Sequence, residues 1–243
     1  IVYNPQLNRY YLFTSYDPLM TTYNVRVGRS DKPEGPFTDF FGKELKDTTN
    51  NFPILTAPYR FKNHPGWAGT GHCGVFTSDD GQYFMVHQGR LSPNNQMMDL
   101  HVRQVFFTED GWPVVSPERY AGSKPGKFTT ADMVGEWEII RVQEPLYERR
   151  LEAGQIMWGE GELLSEEWNQ SQPLNLQKGG SLGNDKGHWE FAEAKQSLQL
   201  VLEGDTVKNL VIFAGHDWEN ETETVLFTGL DARGRSVWGK RIK

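Results

Sequence analysis

Apolar and aromatic residues in this chain come in short runs, each cut off within a few positions by Gly, Pro, Asn or Asp. That punctuation suppresses the 3.6-residue periodicity of a long amphipathic helix and suits short strands joined by tight turns. The expected fold class is all-β. Residues 9–16 carry aromatics on both alternations, the pattern of a strand covered on each face. Residues 23–30 make its hairpin partner, and Pro33-Glu34-Gly35-Pro36-Phe37 turns the chain toward an outer strand.

A second unit repeats this plan. Residues 74–77 and 82–87 flank the turn Ser78-Asp79-Asp80-Gly81, and residues 100–107 pass through Glu109-Asp110-Gly111 into Trp112-Pro113-Val114-Val115. Each unit reads as a four-stranded meander of roughly 50 residues, the size of a propeller blade. A propeller needs at least about four blades, so the others are expected before Ile1. Composition shifts across residues 122–127, a linker that divides the chain into residues 1–122 and 123–243. Beyond it the strands lengthen: 136–142, 198–202, 207–213 and 224–227, separated by turns at 203–205 and 231–234. That is an up-and-down meander, expected to form a small antiparallel β-barrel or sandwich with Trp137 in its core.

Charge narrows the partners. Lys and Arg number 25 against 32 Asp and Glu, a net −7, and the basic clusters are Arg149-Arg150 and Lys240-Arg241-Lys243. No basic face is on offer to a phosphate backbone, so nucleic acid is not an expected partner. No apolar run approaches the ~20 residues of a membrane helix. The single cysteine, Cys73, excludes an internal disulfide and a Cys-based zinc cluster.

Several motifs reduce to turns. Gly179-Gly180-Ser181-Leu182-Gly183 matches G-x-S-x-G, but turn residues follow it where a nucleophile elbow needs a helix. A serine hydrolase built on Ser181 is therefore not expected. The adjacent pairs Asp79-Asp80, Glu109-Asp110 and Glu166-Glu167 read as solvated turns, and His216-Asp217 reads as a hairpin loop. Three positions stay open. Asp17 closes a strand where a carboxylate can face a central cavity. His72, in Gly69-Thr70-Gly71-His72-Cys73-Gly74, sits among glycines that let backbone approach something closely. Arg103 lies inside an apolar strand, where a guanidinium needs either a polyhydroxyl or anionic ligand or a structural carboxylate.

Residues 10–17, 23–30 and 33–37 resemble the later blades of glycoside hydrolase family 43, above all its endo-α-1,5-L-arabinanases. Gly69-Thr70-Gly71-His72 followed by residues 81–87 resembles that family's G-x-G-H segment. Residues 100–103 through 111–114 resemble its final blade, and residues from Gly135 onward resemble the C-terminal barrel of extracellular members. The resemblance implies the final blades of a five-bladed β-propeller followed by a small antiparallel barrel domain. It implies inverting hydrolysis of internal arabinan bonds, on arabinan or arabino-oligosaccharide. It places the acid, the base and the tuning carboxylate upstream of Ile1, in an N-terminal propeller segment supplied as a separate chain or processed fragment. His72 then matches the ligand of one divalent cation, calcium, held mostly by water. Arg103 matches the arginine that holds arabinose beside the cleaved bond, with Tyr16, Asp17 and His87 lining the same cleft. An extracellular or periplasmic location follows from the resemblance. The alternative is a carbohydrate-binding protein without catalysis.

Overall fold

A computed structural model of the chain describes residues 1–47, 50–92, 96–122, 126–143, 169–183, 187–202 and 205–242. Three antiparallel sheets account for its architecture. The first sheet runs β1 (Val2–Asn4), β2 (Arg9–Tyr16), β3 (Asn24–Ser30), β4 (Ile54–Thr56) in simple order. β2 and β3 pair from Tyr10–Ser30 to Tyr16–Asn24, the register expected of the hairpin. Of the residues in β2 only Tyr11 is fully buried, so the expected covering of both faces is not met; its second face is half-open.

The second sheet comprises β5 (Trp67–Ala68), β6 (Gly74–Thr77), β7 (Tyr83–Leu91), β8 (Asp99–Phe107) and β9 (Pro113–Val115). β6, β7, β8 and β9 form the expected meander, and β5 adds to the far end of β7 beside β6. Its two faces differ sharply. Met85, His87, His101 and Arg103 lie on one face and are sealed. Phe76 and Leu100 lie on the other, at 47% and 73% exposure.

One turn of helix, α1 (Thr130–Met133), leads into the third sheet, which holds β10 (Gly135–Arg141), β11 (Gln172–Leu176), β12 (Gly187–Ala192), β13 (Ser197–Leu202), β14 (Asp205–Asp217), β15 (Thr222–Leu230) and β16 (Ser236–Arg241). Its order is β11-β10-β16-β15-β14-β13-β12. Bridges Leu176–Leu182 and Ser181–His188 then join the two edge strands through residues 181–182, so the sheet closes on itself. Closure removes the unpaired edges that an open sheet of this size would expose. Trp137, Leu174, Trp189, Leu198 and Phe227 fill the interior, and the Trp137 indole donates to the Met133 carbonyl at 2.9 Å. The expected all-β class and barrel are both present.

The barrel is packed onto the blades rather than tethered beside them. Ile140, Val142 and Trp238 belong to the same apolar cluster as Tyr11, Val25, Leu55, Met85 and Trp112. Ser236 donates to the Ile54 carbonyl and Thr228 to the Val115 carbonyl, each at 2.7 Å. Residues 54–67 lie between the three sheets, with bridges Ile54–Arg235 and Arg60–Gln170 on the barrel side.

Two sequence expectations need correction. His216 and Asp217 end strand β14 rather than forming a loop, and Asp217 is buried. Lys240, read as part of a basic tail, is fully buried in β16. Most of the linker centre (123–125), Arg149-Arg150, Glu166-Glu167, residues 203–204 and Lys243 lie outside the described residues.

Candidate functional site

Tyr16, Asp17 and His72 are brought together at one end of the two blades. Ser15, in β2, reaches across to the segment before β6: its hydroxyl accepts the His72 amide at 2.9 Å and the Cys73 amide at 3.4 Å. His72 itself is left-handed at φ +57, a conformation that disfavours side chains other than Gly and Asn and needs support from its surroundings. The crowding glycines have a definite purpose. A Cβ at Gly71 would lie 2.6 Å from the Tyr23 ring, and one at Gly69, itself at φ +58, would lie 2.7 Å from the Leu19 carbonyl. Residues 69–73 can therefore lie flat on the β2–β3 connection. The His72 imidazole is left exposed, without a hydrogen-bond partner among the described residues.

Asp17 is also left-handed, at φ +74. Its carboxylate accepts from the Asn24 amide and pairs with Arg26 at 3.4 Å. Arg26 stacks over Tyr16 at 4.9 Å, and the Tyr16 hydroxyl accepts from Asn51 at 2.8 Å. Asp17 and Tyr16 thus stand in a polar network beside His72, with Asp17 only partly exposed.

Arg103 and His87 are placed elsewhere. Both are buried in the seam between the second sheet and the barrel, with Trp238 of β16 at 5.3 Å from the guanidinium. Arg103 donates to His87 Nε2 at 2.9 Å, to the Ser116 carbonyl at 2.8 Å, to the Pro117 carbonyl and to the Tyr59 hydroxyl at 2.6 Å. Those acceptors occupy a guanidinium that the sequence reading gave to a sugar. The expectation of sugar contact at Arg103 and His87 meets a correction here: the seam seals both side chains and satisfies them with protein atoms. Burial, with Arg103 alongside, pushes the His87 imidazole down to about 3, so it stays neutral. Its Nδ1 sits 2.7 Å from the Gln88 carbonyl, which puts the proton there and leaves Nε2 to accept from Arg103. Burial likewise pushes the Tyr59 phenol up to about 12.

A second polar group in the seam escaped sequence reading. The Lys240 ammonium contacts Glu118 at 3.0 Å, Asp217 at 2.9 Å and Glu219, and lies 4.1 Å from the Phe61 ring centroid. Burial disfavours its charge, but Glu118 and Glu219 overcome that and raise the ammonium above its ordinary value. Burial raises Glu118 from its ordinary value, with Glu219 adding to the rise and Lys240 opposing it. Among the described residues these three carboxyls are the one group spaced to hold a metal ion. The ammonium already supplies the positive charge there. No signal in the sequence joins positions 118, 217, 219 and 240.

Around His72 the described residues offer one imidazole nitrogen and no cluster of carboxylates. Such a donor set fits a divalent cation that keeps most of its water, and does not fit one caged by protein oxygens. Ser181, for its part, donates to Gln177 at 3.0 Å and stands in the barrel closure.

Two family models match consecutive parts of the chain. The family model described as glycosyl hydrolases family 43 matches residues 5–113, and that described as a C-terminal lipocalin-like domain matches residues 117–239. The chain belongs to glycosyl hydrolase family 43. Within that family it is 28% identical to an extracellular endo-α-(1→5)-L-arabinanase of Thermotoga petrophila over its whole length, and 26% identical to extracellular endo-α-(1→5)-L-arabinanase 2 of Bacillus subtilis over 99%. It spans about half of each relative, 52%. The crystal structure of the Thermotoga petrophila endo-1,5-α-L-arabinanase superposes with a TM-score of 0.81 at 26% identity, covering all of this chain and 54% of the other. A family 43 glycoside hydrolase from Bacillus licheniformis gives 0.80 at 25%, with the same coverage. The family relation supports a β-propeller origin for the two blades.

Proposed function

We propose that this chain is the C-terminal part of an inverting endo-arabinanase, which cleaves internal α-1,5-L-arabinofuranosidic bonds. Residues 1–122 supply the last propeller blades and residues 123–243 an accessory barrel. The observation that carries the reading is the end-to-end match of both parts, in order, to extracellular endo-arabinanases. The open face of the second sheet, with Phe76 and Leu100 uncovered, fits a blade whose next layer is another blade. An N-terminal segment, on the same or a separate chain, would bring that layer together with the proton-donating and proton-accepting carboxyls.

In this chain the part nearest the chemistry is the end that holds His72, Tyr16 and Asp17. Ser15 and the glycine-lined segment fix the imidazole at the propeller channel, where it would hold one hydrated divalent cation, calcium by its preference for oxygen ligands. Such a cation raises the local positive potential when bound. Tyr16 and Asp17, held in place by the buried Arg26, stand ready to orient sugar hydroxyls. The relatives' names favour an extracellular or periplasmic location.

The test is reducing-sugar release from linear α-1,5-arabinan by the protein carrying all its blades, with product anomers followed by proton NMR. Short oligosaccharides appearing first, as the β-anomer, support the reading. Tight binding without chain shortening would turn it into a carbohydrate-binding protein. Calcium titration of the wild type and of His72→Ala tests the cation separately.

A further inference from the structure

The barrel presents one tryptophan to solvent in a way its packing does not require. Trp218 stands just past β14, at 38% exposure, and its indole N–H donates to the Arg119 carbonyl at 3.0 Å. The Arg119 guanidinium lies between two indoles, 4.7 Å from Trp218 and 5.3 Å from Trp67. His64 stacks on Trp67 at 5.2 Å and His216 meets Trp218 at 4.7 Å, extending the row at both ends. Among the described residues no carboxylate or carbonyl accepts from the Arg119 side chain. This contrasts with the saturated Arg103 in the same seam.

The row is also held rigidly. Arg119 follows Glu118, and Trp218 sits between Asp217 and Glu219; all three acids are locked on the buried Lys240 ammonium. An exposed ring fixed by buried ionic contacts on either side of it loses little freedom on binding, which is what makes a good recognition surface.

Its place in the blade matters too. Gly74 pairs with Val86, so His72 lies beyond Val86 toward the Leu91 end of β7. Trp67 pairs with Leu91 itself, and the Tyr120 amide donates to Val102, in the half of β8 toward Asp99, which faces Gly89. Arg119 and His72 therefore lie at the same end of the sheet. About three inter-strand steps separate them, roughly 15 Å.

We propose that Arg119 and Trp218, backed by Trp67, form an outer subsite for a neutral furanose polymer running off the mouth of the propeller channel. A furanose C–H face packs on the exposed indole, and the free guanidinium N–H groups donate to ring hydroxyls. The ligand is neutral rather than acidic because three carboxyls, Glu118, Asp217 and Glu219, hold the row in place around a single ammonium, Lys240. The assignment of arabinan as this polymer rests on the function proposed above. It gives the barrel a share in substrate capture that a short oligosaccharide, confined to the channel, does not use.

Affinity electrophoresis of the full chain in gels containing linear arabinan tests this, with polygalacturonate as the acidic comparison. Trp218→Ala and Arg119→Gln are expected to weaken retention by about tenfold, while thermal midpoints of the Arg119 variant stay at the wild-type value. Trp218→Phe, which keeps a ring against the guanidinium, recovers part of the affinity and decides the matter should Trp218→Ala fold poorly. Ser181→Ala, in the barrel closure, is expected to leave retention in place. Equal retention of wild type and both variants, absence of wild-type retention, preference for polygalacturonate, or an equal loss in Ser181→Ala each overturns the subsite. If the protein with all its blades releases no sugar yet retention depends on Trp218, the hydrolytic reading falls and the subsite stands.

Discussion

Two polar regions of this molecule look alike in sequence and opposite in structure. At the blade–barrel seam, Arg103, His87, Lys240 and Glu118 are buried and bound to protein partners. At the channel end, His72 and Asp17 hold left-handed backbone, and the His72 ring faces solvent unpartnered. A buried polar group must find its partners in the fold or cost the fold its desolvation energy. A strained, open one is tolerated where the surroundings support it, which is the usual mark of a functional position. The seam therefore secures the architecture, and the His72 end keeps an imidazole that the fold itself leaves open.

The largest effect should come from Lys240→Met, which leaves Asp217 and Glu219 buried without their cation. A loss of about 3–5 kcal/mol in urea denaturation is expected. A loss under about 1 kcal/mol would mean that the seam is wetter than this structure has it. Arg103→Lys follows, because an ammonium cannot span Tyr59, His87 and two carbonyls. About 2–3 kcal/mol should be lost, with sugar binding of the folded fraction unchanged. Loss of arabinan affinity without loss of stability would instead return Arg103 to the sugar.

Acid should strike the seam through its histidines. Folded His87 refuses a proton down to about 3, whereas an unfolded histidine takes one near 6.5. Between those values the unfolded state binds more protons, so stability falls as pH drops, by about 1.4 kcal/mol per pH unit for each such residue. Burial pushes His101 down as well, which adds to the slope. Glu118 acts with the opposite sign: its raised value contributes stability in acid that is lost as pH rises through it. Urea midpoints between pH 7 and pH 4 check this, and His87→Phe should flatten the profile. The smallest effect belongs to the channel end. His72→Gly relieves the left-handed backbone and should leave stability unchanged or higher by up to about 1 kcal/mol. On the function proposed above, His72→Gly should also abolish calcium binding in a titration. A markedly destabilised His72→Gly would place that residue with the seam.

The alternation of side chains and the positions of Gly, Pro, Asn and Asp made the all-β class, the β2–β3 and β6–β7 hairpins and the barrel meander readable without coordinates, because period and turn chemistry are local. The same was true of His72 among its glycines, whose close approaches to Tyr23 and Leu19 explain why those glycines stand there. What only the tertiary structure decided was which polar residues are used up. Lys240 meets Glu118 across 122 positions, Tyr11 meets Gly111 across 100, and Arg103 finds Tyr59 across 44. Burial and hydrogen-bond satisfaction depend on such distant partners. A residue's type and neighbours in the chain do not carry that information, so the seam lysine read as a tail and the seam arginine as a sugar ligand.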